Sequence, residues 1–131
     1  MKQWLENGCR AFLRQILLMA GWVIRHTIVK VQVIGTENLP ADLPVIVISN
    51  HFSWFDGGLI TALLPFRTAL IVAAESNRYL FFRLYMYAFD GISIQRGRAD
   101  RKALRKSLAT LYNGRSVGIF PEGGINPQFA M

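Results

Sequence analysis

Four consecutive apolar β-branched residues, Val45-Ile46-Val47-Ile48, run into Ser49-Asn50-His51-Phe52-Ser53-Trp54-Phe55-Asp56, after which Leu59, Ile60, Leu63 and Leu64 recur at helical spacing until Pro65. An unbroken apolar run of this kind reads as a strand buried on both faces, as in parallel sheets. A strand followed directly by a helix opens a strand-helix-strand crossover, and the pattern then repeats. Ala69 to Ala73 predicts a second buried strand, Arg78 to Phe89 a helix, and Ile92 to Ile94 a short strand. Asp100 then caps a helix whose Leu104, Leu108, Leu111 and Tyr112 form one stripe, closed by Asn113-Gly114, and Val117 to Phe120 predicts the last strand. Upstream, Val29, Val31 and Val33 alternate with Lys30 and Gln32, predicting a half-buried strand that ends at Gly35, before a turn region from Thr36 to Pro44. The expected fold is α/β: a mixed, largely parallel sheet flanked by helices, with its site on the loops beyond the strand ends.

Residues 1–27 read as a separate amphipathic and hydrophobic helical segment in front of an α/β domain over 28–131. Lys2, Glu6, Arg10 and Arg14 step along one face, while Leu5, Phe12, Leu13, Ile16 and Leu17 gather on the other. The wholly apolar stretch from Ile16 to Ile24, bracketed by Arg14 and Arg25, is well short of the ~20 residues a spanning helix needs. It suits a helix lying in a membrane interface, with Trp4 and Trp22 near the headgroups and the arginines on phosphates; a core-packing helix is the competing reading. Composition points the same way, because 52% apolar residues and a mean hydropathy of +0.27 are high for a freely soluble chain of 131 residues. A net charge of +7 favours an anionic partner. The single cysteine, Cys9, excludes an intrachain disulfide framework and a cysteine zinc cluster, and fits a reducing compartment.

His51 and Asp56 stand five residues apart, and on one continuous helix their side chains would point about 140° apart. A break between them is required, and Ser53 supplies one as the N-cap of a capping-box-like Ser-x-x-Asp pattern, with Asp56 at the third helical position. Two readings follow. In one, Ser53 and Asp56 only cap the helix and His51 is a loop residue. In the other, Asp56 orients the imidazole, whose second nitrogen takes a proton from a hydroxyl, as in a serine hydrolase whose serine is replaced by a substrate alcohol. Ser49 and Ser53 sit in no Gly-x-Ser-x-Gly elbow.

Two further strand ends carry polar chemistry. The strand from Gly91 delivers Arg96 to its end, and Arg98, Arg101, Lys102, Arg105 and Lys106 follow, a dense positive field opposed by Asp100 alone. Guanidinium forks match phosphate oxygens, although a basic run on a helix is also an ordinary solvated face. The last strand ends in Phe120-Pro121-Glu122-Gly123-Gly124, which presents a carboxylate and then backbone able to approach an anion, or simply makes a turn.

Taken in order, the His51 to Asp56 block, the strand ending in Arg96 and the Phe120-Pro121-Glu122-Gly123 block resemble those of glycerophospholipid acyltransferases of the lysophosphatidic acid acyltransferase type. The resemblance extends from about Val29 onward. It implies acyl transfer from acyl-CoA or acyl-carrier protein to the hydroxyl of a lysophospholipid such as 1-acylglycerol 3-phosphate, at the cytoplasmic face of a membrane. It also implies His51 as general base, Asp56 as its orienting partner, and Arg96, Glu122 and Gly123 as residues holding the phosphorylated acceptor. No metal and no cofactor beyond the acyl carrier as co-substrate is implied, and no nucleic acid.

The chain departs from the family pattern in three places. Glu122-Gly123-Gly124-Ile125-Asn126 stands where Glu-Gly-Thr-Arg-Ser is usual, Asp90 stands where a glycine is usual, and Gln95 stands where an acid is frequent. The sequence ends at Met131, ahead of the family's strand-Pro block, so the expectation is a domain incomplete at its C-terminus. The alternative function is that of a catalytically inactive, membrane-surface lipid-binding remnant.

Overall fold

The computed structural model describes residues 2–125; Asn126, the last residue of the divergent Glu122 block, lies outside the described residues. The elements run α1 (Lys2–Thr27), β1 (Ile46–Ile48), α2 (Asp56–Leu63), β2 (Thr68–Ala73), α3 (Leu80–Ala88), β3 (Ile92–Ile94), α4 (Arg101–Tyr112) and β4 (Ser116–Ile119), with short 3-10 turns at Thr36–Asn38 and Ala74–Arg78. All strand pairs are parallel, in the order β1-β4-β2-β3. Helices cover both faces, as the alternation of strands and helices predicts.

Side-chain alternation along β2 divides the core between the two faces. Ala69 and Ile71 pack with Ile92, Ile94 and Val117 against Ala103 and Leu111 of α4. Leu70, 1% exposed, points to the other face, where α2 and α3 lie and where a Cβ on Gly118 would stand 2.4 Å from its side chain. Gly118 is therefore a packing glycine, small because Leu70 fills the space above it. On this face Tyr85, also buried, donates its hydroxyl to the carbonyl of Gly57 at 3.1 Å, tying α3 to the first turn of α2. Burial pushes the Tyr85 phenol well above its ordinary pKa, so it stays a donor.

Several expectations need correction. No strand forms at Val29 to Gly35: the segment is extended loop, with Val29 and Val33 exposed. Its alternation marks which residues could face a core, but a ladder needs a neighbouring strand, and none pairs with it among the described residues. The run at Val45 is an edge strand starting at Ile46, not one buried on both faces; Ile46 and Ile48 are 59% and 69% exposed. On α4 the expected stripe is split: Leu111 packs on the sheet, and its other members turn outward. Leu104, Leu108 and Tyr112 are exposed, whereas Ala103 and Thr110 are buried with Ser107 between them. Small residues win the inner face because α4 lies close against the sheet.

Helix α1 forms over its expected span and packs on α2 and α3. Its arginines do not all turn to solvent as expected of phosphate anchors. Arg10 pairs with Asp90 and its guanidinium lies 4.8 Å from the Tyr87 ring centroid, while Arg14 is partly buried. The outward face carries Trp4, Phe12, Met19 and Trp22, each more than half exposed. His26 ends the helix, its Nδ1 2.7 Å from the Trp22 carbonyl. No described helix is long and apolar enough to cross a membrane.

Candidate active site

The site is built where the chain leaves β1. Helix α2 begins at Asp56, two residues later than a Ser53 N-cap would start it, because the Ser53–Asp56 pair works in the turn that precedes it. The Ser53 hydroxyl accepts from the Phe55 N–H at 3.1 Å, and the Asp56 carboxylate reaches back to the N–H groups of Phe52 and Ser53 at 2.7 and 2.8 Å. These bonds fold the backbone so that His51 comes round to the same carboxylate, with Nδ1 3.1 Å from Asp56 Oδ2. The Ser53 hydroxyl also donates to Oδ1 at 3.2 Å. Ser53 is therefore not the helix N-cap: that position falls to Phe55, which makes no side-chain cap bond, and Asp56 opens the helix while bonding to His51.

Protonation states follow from these partners. Burial alone would raise the Asp56 pKa, but donors from the Ser53 backbone, His51, the Phe52 backbone and the Ser53 hydroxyl hold it below the ordinary value. An ionised carboxylate can only accept, so the hydrogen of the His51–Asp56 bond sits on Nδ1, and in the neutral imidazole the lone pair is then on Nε2. Both side chains are about one-fifth exposed. The imidazole is thus reachable, but not freely rotating.

Its second restraint comes from the neighbouring strand. β1 pairs with β4, and the Ser49 N–H donates to the Ile119 carbonyl at 3.2 Å, so the loops after both strands leave side by side. Phe120, the first residue beyond β4, stacks on His51 with ring centroids 4.1 Å apart and planes 19° apart. Pro121 and Glu122 then form a tight turn closed by the Gly123 N–H on the Phe120 carbonyl, 3.1 Å. Gly123 takes φ +66°, a left-handed conformation in which a side chain would be strained. Glu122 is exposed.

Arg96 follows β3, which lies two strands from β4, yet its side chain spans that distance: a Cβ on Gly124 would be 3.8 Å from Arg96 Nη1. The three blocks therefore meet along the C-terminal edge of the sheet, His51 with Asp56 and Phe120, and Arg96 with the glycine turn. A hollow of about 350 Å³ opens beside them, lined by Ser49, Asn50, Phe52, Asp56, Leu59 and Ile60. Arg98, Arg101, Lys102 and Arg105 are exposed, as a solvated helix face would be. Sequence reading placed Phe120 in the Phe-Pro-Glu-Gly block but gave it no role of its own; its position just beyond a strand adjacent to β1 is what sets it against His51.

A family model described as Acyltransferase matches residues 30–131. The chain belongs to the Acyltransferase family. Among curated members, it is 29% identical over 121 residues to a 1-acyl-sn-glycerol-3-phosphate acyltransferase of Borreliella burgdorferi, covering 89% of this chain and 45% of the relative. It is 32% identical over 81 residues to a lyso-ornithine lipid O-acyltransferase of Pseudomonas aeruginosa, covering 61% of this chain and 31% of the relative. The chain thus spans less than half the length of either. No solved structure matches it. The two relatives are named for different acceptors, a 1-acylglycerol 3-phosphate and a lyso-ornithine lipid. Gly124, where the chain departs from the expected Glu-Gly-Thr-Arg-Ser pattern, falls beside Arg96.

Proposed function

We propose that this chain carries the base-bearing half of an O-acyltransferase site that moves a fatty acyl group from acyl-CoA or acyl-carrier protein to a lysophospholipid hydroxyl, such as that of 1-acylglycerol 3-phosphate. The observation that carries the reading is the His51–Asp56 pair, with Nδ1 committed to the carboxylate and Nε2 free. Nε2 removes the acceptor hydroxyl proton as its oxygen attacks the thioester carbonyl. The tetrahedral oxyanion collapses, the carbon–sulfur bond breaks, and the imidazolium gives its proton to the departing thiolate, which leaves as the thiol and restores the neutral base. Asp56 stabilises that imidazolium and fixes its plane, and Phe120 limits its tilt. Arg96 and the Glu122–Gly123 turn hold the acceptor's phosphate, the guanidinium by charge and the turn by its backbone N–H groups.

The substrates are amphiphiles, and the surface suits them. Trp54 and Phe55 in the turn before α2, and Leu80 and Phe81 at the start of α3, are all more than half exposed. They join the outward face of α1 in offering apolar and aromatic groups to an interface, which supports residues 1–27 as a peripheral anchor at the cytoplasmic face of a membrane.

The test is acyl transfer to 1-acylglycerol 3-phosphate from each donor in turn, comparing wild type with His51→Ala. A general base contributes roughly 10²–10⁴-fold, and a loss of that size is expected in a variant whose circular dichroism is unchanged. Equal turnover by the folded variant sinks the proposal. Vesicle binding without turnover by the wild type would favour the inactive lipid-binding alternative.

A further inference from the structure

The N-terminal edge of the sheet, opposite to His51, gathers a second set of charged groups. Arg67 stands immediately before β2, Asp90 two residues before β3 and Arg115 immediately before β4, and α1 brings Arg10 and Arg14 against them. A cavity of about 260 Å³ opens there, its polar lining including Arg14, Arg67, Thr68, Asp90 and Arg115. Thr68 and Ala73 lie at opposite ends of β2, so this cavity is roughly 17 Å from the catalytic edge.

Asp90 ion-pairs with Arg10 and Arg115. The side chains of Arg14 and Arg67 have no ion-pair or hydrogen-bond partner among the described residues. Thr68 lines the cavity and is 5% exposed, and its Oγ1 is buried with no hydrogen-bond partner among the described residues, as is Arg10 Nε. Native structures satisfy nearly all such groups, so an occupant of the cavity would supply the partner that the Thr68 hydroxyl lacks. The charge calls for the same occupant. Burial and the nearby Arg67 both hold the Arg14 pKa below its ordinary value, and Lys106 is lowered by burial and by Arg10 and Arg115, so the cluster carries uncompensated positive charge.

We propose that this cavity binds a phosphate group. Arg14 and Arg67 grip its oxygens with their guanidinium forks, and the Thr68 hydroxyl donates to it. Arg115, fixed by Asp90, adds field without being free to close on the ligand. The group comes either from a soluble phosphate compound or from a lipid headgroup, since Phe12, Met19 and Trp22 are exposed on the helix that supplies Arg14. The site stands apart from the acceptor-phosphate role of Arg96.

The experiment follows the arginine Nε–Hε resonances of the full chain as inorganic phosphate replaces chloride at constant ionic strength. Saturable shifts confined to Arg14, Arg67 and Arg115 are expected. Arg67→Gln, an exposed substitution, raises the apparent Kd by about tenfold or more, Thr68→Val by several-fold, and Arg105→Gln on the far helix leaves it unchanged. Binding to phosphatidylglycerol against phosphatidylcholine vesicles separates the sources: a larger loss for Arg67→Gln than for Arg105→Gln, with displacement by phosphate, assigns the site to lipid. Equal losses with saturable phosphate shifts assign it to a soluble phosphate. Shifts that do not saturate, that spread equally to Arg101 and Arg105, or that survive both Arg67→Gln and Thr68→Val overturn the proposal.

Discussion

Asp56 carries more of this molecule than a carboxylate of ordinary exposure would. It terminates two backbone N–H groups, a hydroxyl and an imidazole, so its replacement acts on folding and on chemistry together. Asp56→Asn keeps one acceptor oxygen but loses the charge, and is expected to lower stability by about 1–3 kcal/mol and to depress turnover through the wrong histidine tautomer. Urea melts read the first effect, and the pH profile of turnover reads the second. The sign of the pH dependence is fixed by the lowered pKa of Asp56 in the fold. Its stabilisation is complete above the unfolded value of about 3.9 and is lost as pH falls through the lower folded value. The difference in melting temperature between wild type and Asp56→Asn should therefore shrink below about pH 4. Asp90 is a second residue whose identity the backbone illuminates. At φ +55° it occupies a conformation that suits the glycine usual in the family, and aspartate is among the few residues that tolerate it. The carboxylate gained there is the one that pairs Arg10 and Arg115.

Among elements, β4 connects the two sides of the site. Gly118 leaves room for Leu70 on one face, and Phe120 at its end supports His51. Gly118→Ala should cost about 1–3 kcal/mol through overpacking, measurable by chemical denaturation. Phe120→Ala should lower turnover by about 2–12-fold, the equivalent of a ring pair worth about 0.5–1.5 kcal/mol, with little change in substrate KM. The order and type of these elements were legible because strand and helix periods differ along the chain. Their faces were less so. Ile46 and Ile48 are as apolar as buried residues but lie on an edge strand, and Leu104 and Leu108 are exposed because the sheet accepts Ala103 and Thr110 at close range. Hydropathy ranks residues by what they prefer; the neighbour that is available decides which preference is met. For the same reason the His51–Asp56 spacing showed that a turn was needed, while the Phe120 stack and the reach of Arg96 to Gly124 depend on strand order, which local pattern does not encode.

Viewed whole, the molecule has one basic, polar end at the start of its strands and the His51–Asp56 end at their finish, with apolar helix surface alongside. Replacing Phe12 and Trp22 on the exposed face of α1 by glutamate should weaken vesicle binding by about tenfold or more in a sedimentation assay, with the melting temperature unchanged, since neither side chain is buried against the domain. The strand order β1-β4-β2-β3 has one more consequence. β1 pairs with β4, the last strand described, and with no other described strand. During synthesis or refolding, the backbone that leads into His51 must wait, unladdered, for about seventy further residues before its partner exists. His51 is encoded early and positioned late, so a nascent chain stopped short of Ser116 holds His51 and Asp56 without the ladder and the aromatic ring that would aim them.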